Sequence, residues 1–256
     1  MLNGKTALVT GSTSGIGLGI ALELAKQGAN IILNGFGDHT GPKAEVEALG
    51  VKVGYSGADM SKPAEIAAMI AYADAEFGGV DILVNNAGIQ YVAPIEEFPI
   101  EKWDSIIAIN LSAAFHATRL VIPGMRAKNW GRVISIASAH GLVGSAQKVA
   151  YVAAKHGIVG MTKVVALETA QTGITVNAIC PGWVHTPLVQ KQIEDRAAAE
   201  KMTVEQATKE LLQEKEPSLQ FTTVEQLGGL AVFMCSPAAD NIRGVAWAAD
   251  GGWTAQ

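Results

Sequence analysis

A short apolar run at residues 5–10 ends in Gly11-Ser12-Thr13-Ser14-Gly15-Ile16-Gly17, and a helical pattern starts inside that loop, continues to residue 26 and stops at Gly28. A strand that turns through glycines straight into a helix is the opening of a βαβ unit. Gly11 permits the tight turn, Gly15 lets an anion approach the backbone, and Gly17 allows close packing of helix on strand. The helix N-terminus then offers unpaired N–H groups to a negative charge. The spacing is Gly-x-x-x-Gly-x-Gly, looser at its start than Gly-x-Gly-x-x-Gly. It points to a dinucleotide pyrophosphate; an ordinary βα turn is the alternative.

The rest of the chain repeats the alternation. Further strands are expected at 30–34, 51–56, 80–84, 132–137, 174–179 and 245–249, with helices at 63–77, 103–126, 149–171 and 224–235. Strands alternating with helices predict an α/β fold, a doubly wound parallel sheet of the Rossmann type. A length of 256 residues suits one domain, 1–256, and there is no internal repeat or low-complexity linker. The irregular stretch is 186–220, polar and charged, with two short helical patterns. Placed after a strand end, it reads as a small helical lid over a cleft, or else as a surface insertion.

Composition narrows the functions. Hydrophobic residues make up 49% and charged residues 17%, the balance of a well-buried globule. The net charge of −5 gives no basic footprint, so nucleic acid is not an expected partner. No run of about eighteen apolar residues is present, and no membrane span is expected. Met1-Leu2-Asn3-Gly4-Lys5 leads directly into a strand, without the layout of a secretory signal. Cys180 and Cys235 lack metal or redox spacing and read as reduced thiols in the cytoplasm, with no metal site. A terminal carboxylate at Gln256 is a hard oxygen ligand, but nothing else in the sequence supports an ion there.

The chemistry is concentrated at Tyr151-Val152-Ala153-Ala154-Lys155. Residues four apart share a helical face, so a phenol stands beside an ammonium. A free phenol titrates near pH ~10, and a nearby positive charge favours phenolate. Oxidising an alcohol requires a base at the hydroxyl and a second donor to steady the developing charge. Ser138, at the end of a predicted strand, supplies the second group. Asn85-Asn86-Ala87-Gly88 ends another strand with small residues that let a cofactor pass close to the backbone, though asparagines also favour turns. Asp59 stands where it accepts a hydrogen bond from an adenine amino group, and it is equally a helix N-terminal charge.

Taken in chain order, Thr10-Gly11-x-x-x-Gly15-x-Gly17, Asn85-Asn86-Ala87-Gly88, Ser138, Tyr151-x-x-x-Lys155 and Pro181-Gly182 resemble the short-chain dehydrogenase/reductase family over essentially the whole chain. The resemblance implies hydride transfer to or from a nicotinamide cofactor. It implies that Tyr151 is the general acid/base, that Ser138 orients the substrate oxygen, and that Lys155 lowers the tyrosine pKa and holds the nicotinamide ribose. Asn110 would support a water-mediated proton relay. The expected cofactor-binding set runs from Gly11, Thr13, Ser14, Gly15, Ile16 and Gly17 through Phe36, Asp59, Asn86, Ala87 and Gly88. It continues through Tyr151 and Lys155 to Pro181, Gly182, Val184 and Thr186. A homotetramer is the family's common assembly. A 2′-phosphate would call for basic residues near the second strand end or in the glycine loop. Asn34-Gly35-Phe36-Gly37 and Ser12-Thr13-Ser14 carry none, and Asp38 lies a little late to grip a ribose diol, so NAD is expected over NADP.

A narrower resemblance is to the branch of that family acting on (R)-3-hydroxybutyrate, a small hydroxy acid. It rests on Gln90, Ala137-Ser138-Ala139-His140-Gly141, Lys148-x-x-Tyr151, Pro181-Gly182-Trp183-Val184, Gln192 and Asp250-Gly251-Gly252-Trp253. By that resemblance Gln90, His140, Lys148 and Gln192 bind the substrate carboxylate, while Trp183 and Trp253 bound the pocket with Ser138 and Tyr151. A lysine charge joined by amide and imidazole donors suits one small carboxylate. Two other readings compete. A 3-oxoacyl-thioester reductase using NADPH would need a basic cofactor-selecting residue and an open acyl channel. A non-catalytic dinucleotide sensor would be expected to lose the tyrosine or the lysine.

Overall fold

Successive residues of the central strands are buried on both faces, mostly apolar but with polar ones such as Arg132, Ser135, Thr175 and Asn177 among them. In the computed structural model, which describes residues 1–255, seven strands form one sheet; Gln256, with any ion site at that terminus, lies outside the described residues. The strands are β1 (Thr6–Val9), β2 (Asn30–Asn34), β3 (Val53–Ser56), β4 (Ile82–Asn85), β5 (Gly131–Ile136), β6 (Ile174–Pro181) and β7 (Ala246–Ala249). Their order is β3-β2-β1-β4-β5-β6-β7, and every neighbouring pair is parallel. The order reverses between β1 and β4, so the crevice for a ligand opens at the C-terminal ends of those strands.

The helices are α1 (Gly15–Lys26), α2 (Thr40–Glu47), α3 (Pro63–Phe77), α4 (Ile100–Ile107), α5 (Ala113–Lys128), α6 (Val149–Glu168), α7 (Pro187–Glu200), α8 (Val204–Gln213) and α9 (Val224–Cys235). Successive strand residues divide between two cores. Val9, Leu33 and Val84 pack with Ile20 and Leu24 of α1 and Leu227 of α9. Leu8, Ile32 and Leu83 point the other way, against Ile66 and Met69 of α3 and Val121 and Met125 of α5. Burying such aliphatic side chains stabilises the fold by roughly 1.5–3 kcal/mol each.

Three elements differ from the sequence expectation. Helix α2 was not expected, because it begins Thr40-Gly41-Pro42 and buries only Val46, leaving almost no apolar stripe to read. Pro42 is tolerated there because the first turn needs no amide donors. The helix expected at 103–126 starts earlier and ends later, and it is continuous from Ile100 to Lys128. A π-helical turn, Ala108–Ser112, interrupts its middle. By length and composition this helix would also cross a membrane. Its Ala113, Ala117, Val121 and Met125 instead lie in the core beneath the sheet, while Ile100, Trp103 and Phe115 are exposed.

The stretch 186–220 folds as two helices, α7 and α8. Thr186 caps α7 through the Val189 amide, Pro187 takes its first position, and Thr203 closes a capping box on α8. Val189, Ile193, Ala197 and Ala207 form a small core of their own, with Trp183 and Phe221 packed against it. The two helices therefore stand beside the sheet's C-terminal edge as a separate packed unit.

Candidate active site

The glycine loop is held from three directions. Gly11 has φ +62°, and a Cβ there would lie 2.9 Å from the Ala87 Cα. At Gly17 a Cβ would come within 2.4 Å of the Gly11 carbonyl oxygen, so the first turn of α1 seats directly on the loop. Asn86 donates its side-chain amide to the Thr10 and Gly11 carbonyls at 2.8 and 2.9 Å, and the Asn86 and Ala87 amides donate to the Thr10 hydroxyl. From β2, Asn34 accepts the Gly11 amide at 3.2 Å. The loop thus opens on a cavity of about 370 Å³ lined by Gly11, Ser14, Gly15, Ile16, Asn86, Ala87 and Gly88. The start of α1 faces it with no side-chain cap and no acidic residue in the first turn. Unpaired helix amides with no competing carboxylate fit the pyrophosphate of a dinucleotide.

The far wall of the same cavity carries Ser138, Tyr151, Lys155, Pro181, Gly182, Val184 and Thr186. Strand β5 delivers Ser138, and α6 delivers the tyrosine and lysine one turn apart. Lys155 is 4% exposed and donates to the Ile136 carbonyl at 2.7 Å. Burial pulls its ammonium down to about 8. Its Nζ lies 5.5 Å from the centre of the Tyr151 ring. Desolvation raises the phenol, opposed only by a hydrogen bond with the Ser138 side chain. The lysine ammonium is turned onto the carbonyl at the end of β5, out of water.

Asn110 sits in the π-helical turn and is 3% exposed. Its side chain accepts from the Ile89 amide and donates to the Ile89 carbonyl, both at 2.9 Å. The extra residue of the π turn lets this one side chain reach across to the loop after β4.

A second cavity, about 210 Å³, adjoins the first under α7. Its walls include every residue expected to bind substrate: Gln90, Ser138, His140 and Lys148, then Tyr151, Trp183, Gln192 and Trp253. His140 is 6% exposed, packs edge-on to Trp253 and Tyr151, and places Nδ1 3.3 Å from the Ser138 hydroxyl. Its Nε2 and the Trp183 Nε1 are buried and have no hydrogen-bond partner. Burial first, then the charges of Lys148, Lys215 and His156, push the imidazole down to about 4, so it is neutral at physiological pH. Lys148 lies 5.7 Å from the Trp183 ring, and burial, then Lys215, lowers its ammonium. An ammonium among unsatisfied donors makes a site for an anion.

Four expected cofactor residues do not line either cavity. Gly17 lies behind the loop, as its packing requires. Thr13 donates its hydroxyl to the Phe36 carbonyl at 3.2 Å, and Phe36 projects outward, 68% exposed. The Asp59 carboxylate accepts from the Ser61 amide and hydroxyl and pairs with Lys62 at 3.6 Å, which keeps it below the usual carboxylate range. Asp38 similarly accepts from Thr40 at the start of α2. Cys180 and Cys235 are free and buried. Sequence reasoning also missed Lys215 and Glu216, which flank the second cavity from the end of the lid. In a stretch of alternating acids and bases nothing marks either one.

Residues 5–197 match the family model described as short chain dehydrogenase. The chain is 69% identical over 258 residues to a D-beta-hydroxybutyrate dehydrogenase of Cupriavidus necator, covering 100% of both chains. It is 56% identical to a D-beta-hydroxybutyrate dehydrogenase of Rhizobium meliloti, over 98% of this chain and 99% of that one. A crystal structure of an actinorhodin polyketide ketoreductase with NADPH superposes with a TM-score of 0.93 at 33% identity, covering 100% of each.

The buried imidazole makes stability depend on pH with a definite sign. Its folded pKa of about 4 lies below the ordinary 6.5, so between those values the unfolded chain binds the extra proton. Stability is lost as pH falls through that window. Denaturant titrations at pH 7 and pH 4 should show the native protein losing about 3 kcal/mol more than a His140→Gln variant. Equal losses would mean that the imidazole is solvated.

Proposed function

The chain belongs to the short-chain dehydrogenase family, and on that premise we propose that it interconverts (R)-3-hydroxybutyrate and acetoacetate with NAD. Its relatives at 69% and 56% identity carry the name of that activity. One observation from the fold carries the reading. Beside Tyr151 and Ser138 lies a small cavity holding one ammonium, Lys148, and two buried unpartnered nitrogens, on His140 and Trp183. A four-carbon acid presents one alcohol to the first pair and one carboxylate to the second group.

The chain's own residues divide the work. Lys148, His140, Gln90 and Gln192 grip the carboxylate, and Trp183 and Trp253 limit the length of the acid. That grip holds the hydroxyl carbon at one place, so alignment is set before chemistry begins. Ser138 donates to the substrate oxygen, and Tyr151 takes the hydroxyl proton during oxidation and returns it during reduction. A nicotinamide cofactor, held by the glycine loop, Asn86, Lys155 and Thr186, would supply the hydride acceptor for oxidation and the donor for reduction. Lys155 adds its own charge from the Ile136 carbonyl and stands where a ribose would be held. Asn110, fixed on Ile89, lies behind Lys155 in the narrow space continuous with the cleft and would support a proton relay.

The choice of NAD rests on the end of β2. The loop Asn34-Gly35-Phe36-Gly37 carries no basic residue, and the next cation in sequence after His39 is Lys43, paired with Glu47. A 2′-phosphate would meet no fixed positive charge there. Thr13 and Phe36, joined by a hydrogen bond, form the rim against which an adenosine would lie; Asp59 stands near the end of β3 with one oxygen already committed. Homotetramer formation is part of the proposal, supported by exposed Ile100, Trp103 and Phe115 on the long helix and Val164 and Leu167 on α6. A cytoplasmic location is supported by the two free buried thiols.

Steady-state assays test these assignments. Tyr151→Phe should lower kcat by about 10²–10⁴, and retention of near-native turnover would exclude the phenol as the acid/base. Lys148→Ala should raise the KM for hydroxybutyrate by about 10–100-fold, the loss of one charged hydrogen bond, while the affinity for NADH stays unchanged. NAD should be preferred to NADP in kcat/KM by more than about tenfold, one charge-assisted contact's worth. Equal use of both would remove the argument from the β2 tip.

A further inference from the structure

Glu216 is the most buried acid of the described residues, 1% exposed, and it lies just past α8, where the lid's chain returns to the body. Its Oε1 accepts the backbone amide of Trp183, while its Oε2 is buried without a partner. Trp183 stands on the outgoing stem of the lid, directly after Gly182. The other half of its peptide environment is also taken by the returning stem, because the Thr222 amide donates to the Trp183 carbonyl at 3.0 Å. Val184 and Thr222 then form an isolated parallel bridge. Both backbone polar groups of Trp183 are therefore held by residues beyond α8.

The fit around the carboxylate is close. A Cβ on Gly182 would lie 2.2 Å from Oε1, and one on Gly251 would lie 2.9 Å from Oε2. Gly182 lines both cavities, and Gly251 precedes the Gly252-Trp253 segment that closes the second one. The neighbouring Lys215 places its Nζ 5.8 Å from the Trp253 ring. Two consecutive residues at the end of the lid thus touch the supports of both tryptophan walls. A half-paired buried carboxyl is a poor device for stability alone, since its free oxygen is removed from water without compensation.

We propose that Glu216 is a positioning residue for the substrate pocket, holding Trp183 by its amide so that the indole wall and the Lys148 ammonium beside it keep the spacing that fits a short hydroxy acid. It touches no reacting atom and works through Trp183. This rests on the hydroxybutyrate reading of the same pocket. Because it sets the wall and not the chemistry, its loss should appear in KM and leave the cofactor site intact. An amide oxygen can accept the same bond, so glutamine should replace it.

Two measurements on the intact protein test this. Hydrogen exchange of the Trp183 amide, without ligand, should be protected in the native protein and in Glu216→Gln, and accelerated in Glu216→Ala. With saturating NAD, Glu216→Ala should raise the KM for (R)-3-hydroxybutyrate at least tenfold with kcat within about threefold. Glu216→Gln should stay within about threefold of native in both. Affinity for NADH should be unchanged in each variant. Unchanged exchange or unchanged KM in the alanine variant overturns the proposal. So does equal damage in both variants, or loss of NADH affinity in parallel with KM. If the native protein fails to oxidise the acid, the hydroxybutyrate reading falls, and the exchange contrast alone decides the Trp183 contact.

Discussion

A buried ammonium, Lys155, donating to the carbonyl of Ile136 is the contact on which the site is built. It ties α6 to the end of β5, and in doing so fixes Tyr151 one turn earlier and Ser138 two residues later on the same wall of the crevice. Burial opposes the charge, which is why this lysine sits near 8 instead of its ordinary 10.5. The fold tolerates that because a carbonyl at a strand end is directed at the ammonium, supplying a hydrogen bond that water would otherwise give. At the tyrosine, burial raises the phenol against a hydrogen bond with the Ser138 side chain that lowers it.

Around this contact two sub-sites are arranged by different physics. The dinucleotide side uses backbone: glycines, a helix start without a competing acid, and side chains such as Asn86, Thr10 and Asn34 that hold the loop in place and do not face a ligand. The substrate side uses side chains: one ammonium, a neutral imidazole and amides, walled by indoles. Keeping His140 neutral is consistent with Lys148 and Lys215 nearby, since a third positive charge in a buried space would be repelled. The imidazole can then offer a hydrogen bond without adding charge, and the positive potential of the cavity stays moderate and local.

The sequence made most of the framework legible because a parallel sheet demands it. Strands buried on both faces must be mostly apolar, and a glycine loop between strand and helix has few other uses. The eight pocket residues were legible for a different reason: each belonged to a short segment recognisable as a unit, and resemblance supplied the grouping. What escaped lacked either signal. Helix α2 has a single buried side chain. The π turn at Asn110 leaves no trace in apolar spacing, since one extra residue in a helix of 29 shifts the stripe without breaking it. Phe36 and Asp59 follow β2 and β3, yet Phe36 is exposed outside the cavity and the Asp59 carboxylate is taken up by the Ser61 turn. Glu216 is one acid among many in a polar stretch, and only the return of the chain to the sheet edge distinguishes it.

That return also ties the helical pair to the sheet edge. Arg196 of α7 pairs with Glu200 on its own helix and with Glu210 and Glu214 at the end of the lid, at 2.8–3.2 Å. Single exposed ion pairs contribute little, but three acids on one guanidinium bind the two helices into a network, over a core of their own. The stems are packed too: Val184 is buried in the main core, and Trp183 and Phe221 lie against the core of the helical pair. One stem contains Gly182 and the other contains Leu219, whose φ of +54° is uncommon for a side chain of its kind. Glu216 and Thr222 lie either side of that residue and clasp Trp183 between them. The two ends of the helical pair therefore meet at the backbone of a residue that lines the second cavity, so the seating of the pair and the shape of that cavity are set by the same contacts.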